Sequence, residues 1–149
     1  MKIGHNFNNF IVLITGILRN RKGEVLLIKR SNKNKTFRGF WQLPEGKIEF
    51  GEQPTETLAR ELKEELGCRL ISAKPITTNS AVVVFRGTSY HVLRIVFKTT
   101  WKGKITLSNE HEIHQWVSVD KALKISNLVD GTKEILLALR RLAKQRYCE

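Results

Sequence analysis

From Gly46 to Cys68 the chain reads Gly-Lys-Ile-Glu-Phe-Gly-Glu-Gln-Pro-Thr-Glu-Thr-Leu-Ala-Arg-Glu-Leu-Lys-Glu-Glu-Leu-Gly-Cys. Pro54 suits the first turn of a helix, Leu58, Leu62 and Leu66 recur every four positions, and Gly67 supplies the stop. On that helix Glu61, Glu64 and Glu65 stand at i, i+3 and i, i+4, so three like charges share one flank. Their repulsion is relieved most directly by a cation held among them. Oxygen-only ligands select a hard metal, with magnesium the best fit and manganese a substitute. The alternative is a solvated face on which Arg60 and Lys63 pair with these acids.

Working outward, the concentration of acid is unusual for this chain. Lysine and arginine outnumber aspartate and glutamate by 26 to 14, for a net charge of +12. Yet Glu45, Glu49, Glu52, Glu56, Glu61, Glu64 and Glu65, half of the acidic residues, fall between positions 45 and 65. A surface this basic favours polyanions such as phosphates, nucleotides or nucleic acid.

Length and composition set the remaining bounds. At 149 residues and 41% hydrophobic content, one domain over residues 1–149 is expected. No apolar run is long enough to cross a membrane, and the N-terminus has no secretory pattern, so a cytoplasmic protein without membrane contact follows. Cys68 and Cys148 are too few for a disulfide framework or a four-cysteine zinc site. His5, His91, His111 and His114 show no ligand spacing beyond the i, i+3 pair at 111 and 114, and read as ordinary surface or core residues.

Runs rich in β-branched residues at Phe10–Leu18, Val25–Ile28, Ala81–Phe85 and Val92–Phe97 read as strands, with a short one at Phe40–Leu43 and a turn at Pro44. Residues 31–39 read as a polar, basic loop. A second amphipathic helix is expected from about Thr132 to Arg146, its Arg140, Arg141 and Lys144 complementing the helix dipole. No regular βα repeat appears, which gives an α/β (α+β) architecture with a mixed, partly antiparallel sheet between helices. Exposed edge strands leave room for a homodimer.

The stretch at 46–68 resembles the Nudix hydrolase signature G-x5-E-x7-R-E-U-x-E-E-x-G-U. Gly46, Glu52, Arg60, Glu61, Glu64, Glu65 and Gly67 meet every fixed position, Leu62 meets the first apolar one, and Cys68 departs mildly at the last. Trp41-Gln42-Leu43-Pro44 before it, and Glu112-Ile113 with Trp116-Val117 after it, look like flanking strands of that family. The resemblance covers about residues 10–125 and implies an α/β/α sandwich. Glu45 departs from the pattern, since many relatives carry a second glycine there.

By this resemblance the chain would cleave a nucleoside diphosphate linked to a group X, water attacking phosphorus. Glu64 and Glu65 would be metal ligands, with a loop carbonyl near Gly46. Glu61 would complete the metal shell or take the proton from water. A base outside the box would be Glu110 or Glu112, of which Glu112 is the preferred candidate; its alternative is pairing with a basic residue. Arg60, placed with the catalytic set, resembles with Glu52 a pair that braces the loop against the helix. Lys47 would meet phosphate, and Phe37 and Phe40 would stack a base.

The substrate is less well marked. The downstream proline of ADP-ribose-cleaving relatives is missing at Val83-Val84-Phe85, and Phe85 lacks the hydroxyl of the tyrosine found in dinucleoside polyphosphate relatives. Ser89-Tyr90-His91-Val92 and Glu49-Phe50-Gly51-Glu52 resemble triphosphate-sanitising members, so a nucleoside triphosphate giving a monophosphate and pyrophosphate is preferred. Two other readings stand beside it: an enzyme acting on RNA 5′ ends, prompted by the +12 charge, and a Nudix-fold nucleotide-binding module without catalysis.

Overall fold

Alternation along the strands decides which side each residue packs on. The structure, a computed structural model, describes residues 9–146; His5 and Cys148 lie outside them. In β1 (Phe10–Ile17) and the residue after it, Ile14 and Leu18 point to one side and Ile17 to the other. In β2 (Val25–Arg30), Leu26 and Ile28 join the first side while Val25 and Leu27 join the second. A period of two with both faces apolar is the mark of strands buried between layers.

Each side is closed by a helix. Helix α1 (Pro54–Leu66) covers the first with Leu58, Leu62 and Leu66, each at most 1% exposed. Its entry is secured by the Gln53 N–H donating to Glu56 Oε2 at 2.8 Å. It ends because Gly67 takes a left-handed φ of 63°, letting its N–H reach back to the last turn. Helix α3 (Thr132–Gln145) covers the second side with Ile135, Leu136 and Leu139, joined by Ala122 of the one-turn helix α2 (Val119–Ala122). The layers are therefore helix, sheet, helix.

The middle layer holds two sheets. One has the order β4-β1-β6-β5 and mixes parallel β1–β6 pairing with antiparallel β1–β4 and β5–β6 pairing. The other, β3-β2-β7, is wholly antiparallel. Here β3 is Trp41–Gln42, β4 Glu45–Lys47, β5 Arg69–Phe85, β6 Thr88–Lys102 and β7 His111–Val117. The mixed sheet foreseen from the sequence is present, and the antiparallel one stands beside it.

Two elements differ from expectation. The strand expected at 81–85 is the far end of a 17-residue strand, β5, on the outer edge of its sheet. Pro75 is tolerated there because it falls at a register shift in an edge strand. Glu45–Lys47, expected as turn and loop, pairs with Leu13–Thr15. That pairing lays the glycine-containing strand against α1 and creates the site. No helix of the described residues is long and apolar enough to cross a membrane.

Leu62→Ala, which empties a fully buried position under α1, is expected to lower unfolding free energy by about 2–5 kcal/mol in urea titration. Val82→Ala, 66% exposed on β5, is expected to change it by less than about 0.5 kcal/mol.

Candidate active site

Between β4, α1 and the second half of the chain lies a cavity of about 580 Å³. Besides Asp130, which precedes α3, three segments deliver its acids. Strand β4 brings Glu45 and Gly46, α1 brings Glu61 and Glu65, and the turn before β7 brings Glu110. Gly46 is required by proximity: a Cβ there would lie 2.0 Å from the Glu61 carboxyl carbon. The Glu61 head group thus packs directly on the β4 backbone.

Arg60 organises the acids around the entrance. Its Nε donates to Glu52 Oε1 at 2.7 Å and its NH2 to Glu52 Oε2 at 3.1 Å, a bidentate pair. NH2 also donates to the Lys47 carbonyl at 3.1 Å, tying β4 to the helix. NH1 reaches Glu61 Oε1 at 2.7 Å and Glu64 Oε2 at 3.4 Å. Glu52 also accepts from the Thr57 hydroxyl at 2.6 Å and from the Glu49 N–H at 3.0 Å. Arg60 first, then Thr57 and the Glu49 amide, hold the Glu52 carboxyl down at about 2.

Glu61 and Glu65 shift the other way. Burial raises Glu61 above the usual carboxylate range; the Arg60 hydrogen bond and charge oppose this, and the charges of Glu64 and Glu110 add to it. Burial pushes Glu65 well above that range, and Glu61, Glu110 and Glu45 push it further. Glu65 is 8% exposed, and its Oε2 has no hydrogen-bond partner among the described residues. A buried, unpartnered carboxylate oxygen among like charges is a site short of positive charge.

A divalent cation fits that shortage. Among the described residues no three His, Cys, Asp or Glu side chains are gathered tightly enough to hold a metal alone. The donors present are hard oxygens on a cavity wall, which suits an ion that keeps waters and shares substrate phosphates.

Of the residues singled out from the sequence, Gly46, Lys47, Phe37, Glu61 and Glu65 line the cavity. Glu64 sits at its margin with a side chain 60% exposed. Phe40 lies behind Phe37, ring centroids 5.8 Å apart and edge to face. Glu112 does not line the cavity: its Oε1 accepts from the Asn32 N–H at 3.0 Å, and Lys29 stands 4.0 Å away. Glu110 does line it. His111 is buried and held neutral, pushed down to about 4 by burial and then by Arg30, while His114 is exposed, so the two do not share a site.

The structure adds residues that the sequence reading passed over. Arg30, Gln42, Tyr90, Arg94 and Asp130 line the same cavity. Arg94 Nε donates to Glu45 Oε2 at 2.9 Å, and the Thr15 hydroxyl donates to the same oxygen at 3.0 Å. The glutamate that departs from the two-glycine pattern thus has its own buried counter-charge. The available signal was Arg94 itself, a lone charge within the apolar run Val92–Phe97. Arg30 anchors the loop after β2, its Nε donating to the Thr36 carbonyl at 2.9 Å and its NH1 to Gln42 Oε1 at 3.2 Å.

Comparison with known proteins agrees with this geometry. A family model described as NUDIX domain matches residues 11–139. The chain is 29% identical over 135 residues to the RNA pyrophosphohydrolase of Ruthia magnifica subsp. Calyptogena magnifica, spanning 80% of this chain and 73% of that protein. It is 28% identical over 125 residues to the 8-oxo-dGTP diphosphatase of Buchnera aphidicola subsp. Schizaphis graminum (strain Sg), spanning 81% and 88%. A crystal structure of the MutT protein from Methanosarcina mazei Go1 superposes with a TM-score of 0.75 at 32% identity, covering 91% of this chain and 96% of that one. Matched in sequence along most of its length and in fold, with Glu61 and Glu65 on the wall of one cavity, the chain belongs to the NUDIX family and is a MutT-like Nudix hydrolase.

Proposed function

We propose that this chain hydrolyses a pyrophosphate bond in a nucleoside diphosphate linked to X, a nucleoside triphosphate being the preferred substrate, with release of the monophosphate and pyrophosphate. Magnesium is the metal of choice, and manganese substitutes. The observation that carries the reading is Glu65, buried and unpartnered on the wall of a nucleotide-sized cavity.

Glu64, Glu65 and the backbone carbonyl at Gly46 would hold the metal, with Glu61 beside them, and the ion would supply neutralisation of phosphate charge and acidification of water. Arg60 engages Glu61 through Oε1, which leaves Oε2 free to accept a proton from water as the new P–O bond forms and the bridging P–O bond breaks. Outside the box, Glu110 is the better-placed second acid because it lines the cavity, whereas Glu112 is committed to Asn32 and Lys29. Lys47 and Arg30 supply cations for phosphate oxygens. Phe37, 38% exposed and backed by Phe40, offers a face for the base. Hydrolysis at the 5′ end of RNA uses the same chemistry, and the Ruthia relative's name supports it as the second reading.

Nucleoside triphosphates, ADP-ribose, nucleotide sugars, dinucleoside polyphosphates and triphosphorylated RNA, each incubated with Mg²⁺ or EDTA and resolved by chromatography, separate these readings. Metal-dependent release of a nucleoside monophosphate is expected, falling by about 10²-fold or more in Glu64→Gln. Turnover of no substrate with either Mg²⁺ or Mn²⁺, with nucleotide binding retained, would leave a binding module. Gly46→Ala, which drives a methyl into the Glu61 carboxyl, is expected to lower kcat by about 10²-fold through misplacement, with Tm as the check that the fold persists.

Linkage gives a test that does not depend on turnover. A carboxyl raised by burial favours the fold while protonated, so metal-free stability falls as pH rises from 4.5 through the raised value of Glu65. Glu65→Gln should therefore raise metal-free Tm at pH 8, by about 2–4 °C, and lose the further rise that Mg²⁺ gives the unchanged protein. An unchanged Mg²⁺ response in that variant would remove Glu65 from the ligand set.

A further inference from the structure

At the end of the strands away from the catalytic cavity, two further cavities meet at Arg19. One, about 470 Å³, is lined by Ile17, Arg19, Ile76, Lys98, Leu142 and Arg146 among others. The other, about 490 Å³, is lined by Arg19, Arg21, Thr99, Thr100, Trp101 and Trp116, with Asn20. Neither lining contains an aspartate or glutamate. Among the described residues Arg19, Arg21, Lys98 and Arg146 have no salt bridge. The acid of the same turn, Glu24, is taken by Asn20 Nδ2 at 2.7 Å. Arg19 also donates NH1 to the Gly23 carbonyl at 2.6 Å, which fixes the guanidinium between the two cavities. Burial, and then the charge of Arg146, make its protonated state harder to hold.

Cations left without acids along walls of apolar and aromatic groups favour an anion that also carries flat or apolar surface. Trp101 and Trp116 stack at 5.9 Å with their planes 18° apart and line the second cavity, partly buried against the core. The four cations extend across two adjoining cavities, more than a single phosphate group engages, so a chain of phosphates fits better than a free nucleotide. A cationic track with aromatic platforms is the arrangement that binds single strands without sequence preference. Leu13 in the first cavity and Arg19 lie six residues apart along β1 and the two residues after it, about 20 Å at the rise of extended chain.

We propose that this end of the sheet is a second binding site, for single-stranded nucleic acid, with phosphates on Arg19, Arg21, Lys98 and Arg146 and a base against Trp101 and Trp116. The site is separate from the hydrolytic reading and stands or falls without it.

The test is fluorescence anisotropy with a labelled oligoribonucleotide of about 8 nucleotides, carrying a 5′-hydroxyl so that it is no substrate, titrated with the full chain at several salt concentrations. Four phosphate contacts at about 0.7 each predict a log–log salt slope near −3. The doubly substituted Arg21→Ala/Arg146→Ala chain, both positions being exposed, should lose about 1.4 from that slope while keeping its Tm and nucleotide turnover. Saturating free nucleotide should not displace the strand, and tryptophan emission in a Trp41→Phe chain should be quenched on binding. An unchanged slope in the double variant, complete displacement by nucleotide, or no binding at low salt would each overturn the proposal. Tight binding of a mononucleotide here, with no gain from chain length, would replace it with a nucleotide site.

Discussion

One guanidinium holds the acidic end of the molecule together. Arg60 serves both oxygens of Glu52, one of Glu61, the margin of Glu64 and the carbonyl of Lys47. The contact to Lys47 ties the β4 strand to α1, and the cavity lies beside that junction. Two like charges about 4 Å apart in a partly buried setting repel by about 4 kcal/mol, and a single cation cannot cancel several such pairs. Burial raises the carboxyls of Glu61 and Glu65, and the uncancelled repulsion raises them further. Glu52, which receives both arms of Arg60, lies low instead.

The pair Glu45–Arg94 repeats this logic one strand further in. Glu45 stands where its repulsion with Glu65 is felt, and β6, beyond β1 in the same sheet, supplies an arginine 5% exposed to answer it. A buried ion pair of this kind contributes little net stability, because desolvation offsets attraction. Its effect is positional: it sets β4 against β6 and fills the cavity floor with paired charge.

What could be read from the sequence follows from how local each signal is. Helix α1 was legible to the residue at both ends, because Pro54, the four-residue leucine spacing and Gly67 are all local. The seven fixed box residues were legible for the same reason. The first part of β5 was not, since residues 69–80 are mostly polar or exposed, unlike Ala81–Phe85, and are held by backbone pairing to β6. Strand β4 is three residues long and exists because Leu13–Thr15 lie opposite it. Arg30, Arg94 and Asp130 are far apart in sequence and become neighbours only when both sheets and the start of α3 close on the cavity. The choice between Glu110 and Glu112 is of this kind too. Two residues apart on one segment, they differ in whether the chain turns the side chain toward the cavity or toward Asn32.

The charge pattern of the whole chain now has a physical reading. A net charge of +12 draws phosphates toward the surface, while the catalytic wall is lined by the acids that would repel them at contact. A divalent cation would resolve the conflict, since the acids would attract it and it would attract the phosphates in turn. Linkage makes this reciprocal: whatever factor the cation adds to phosphate affinity, the phosphate adds to cation affinity. Burial and the neighbouring acids make Glu65 costly to ionise, and a cation bound beside it would strengthen phosphate binding and be strengthened by it.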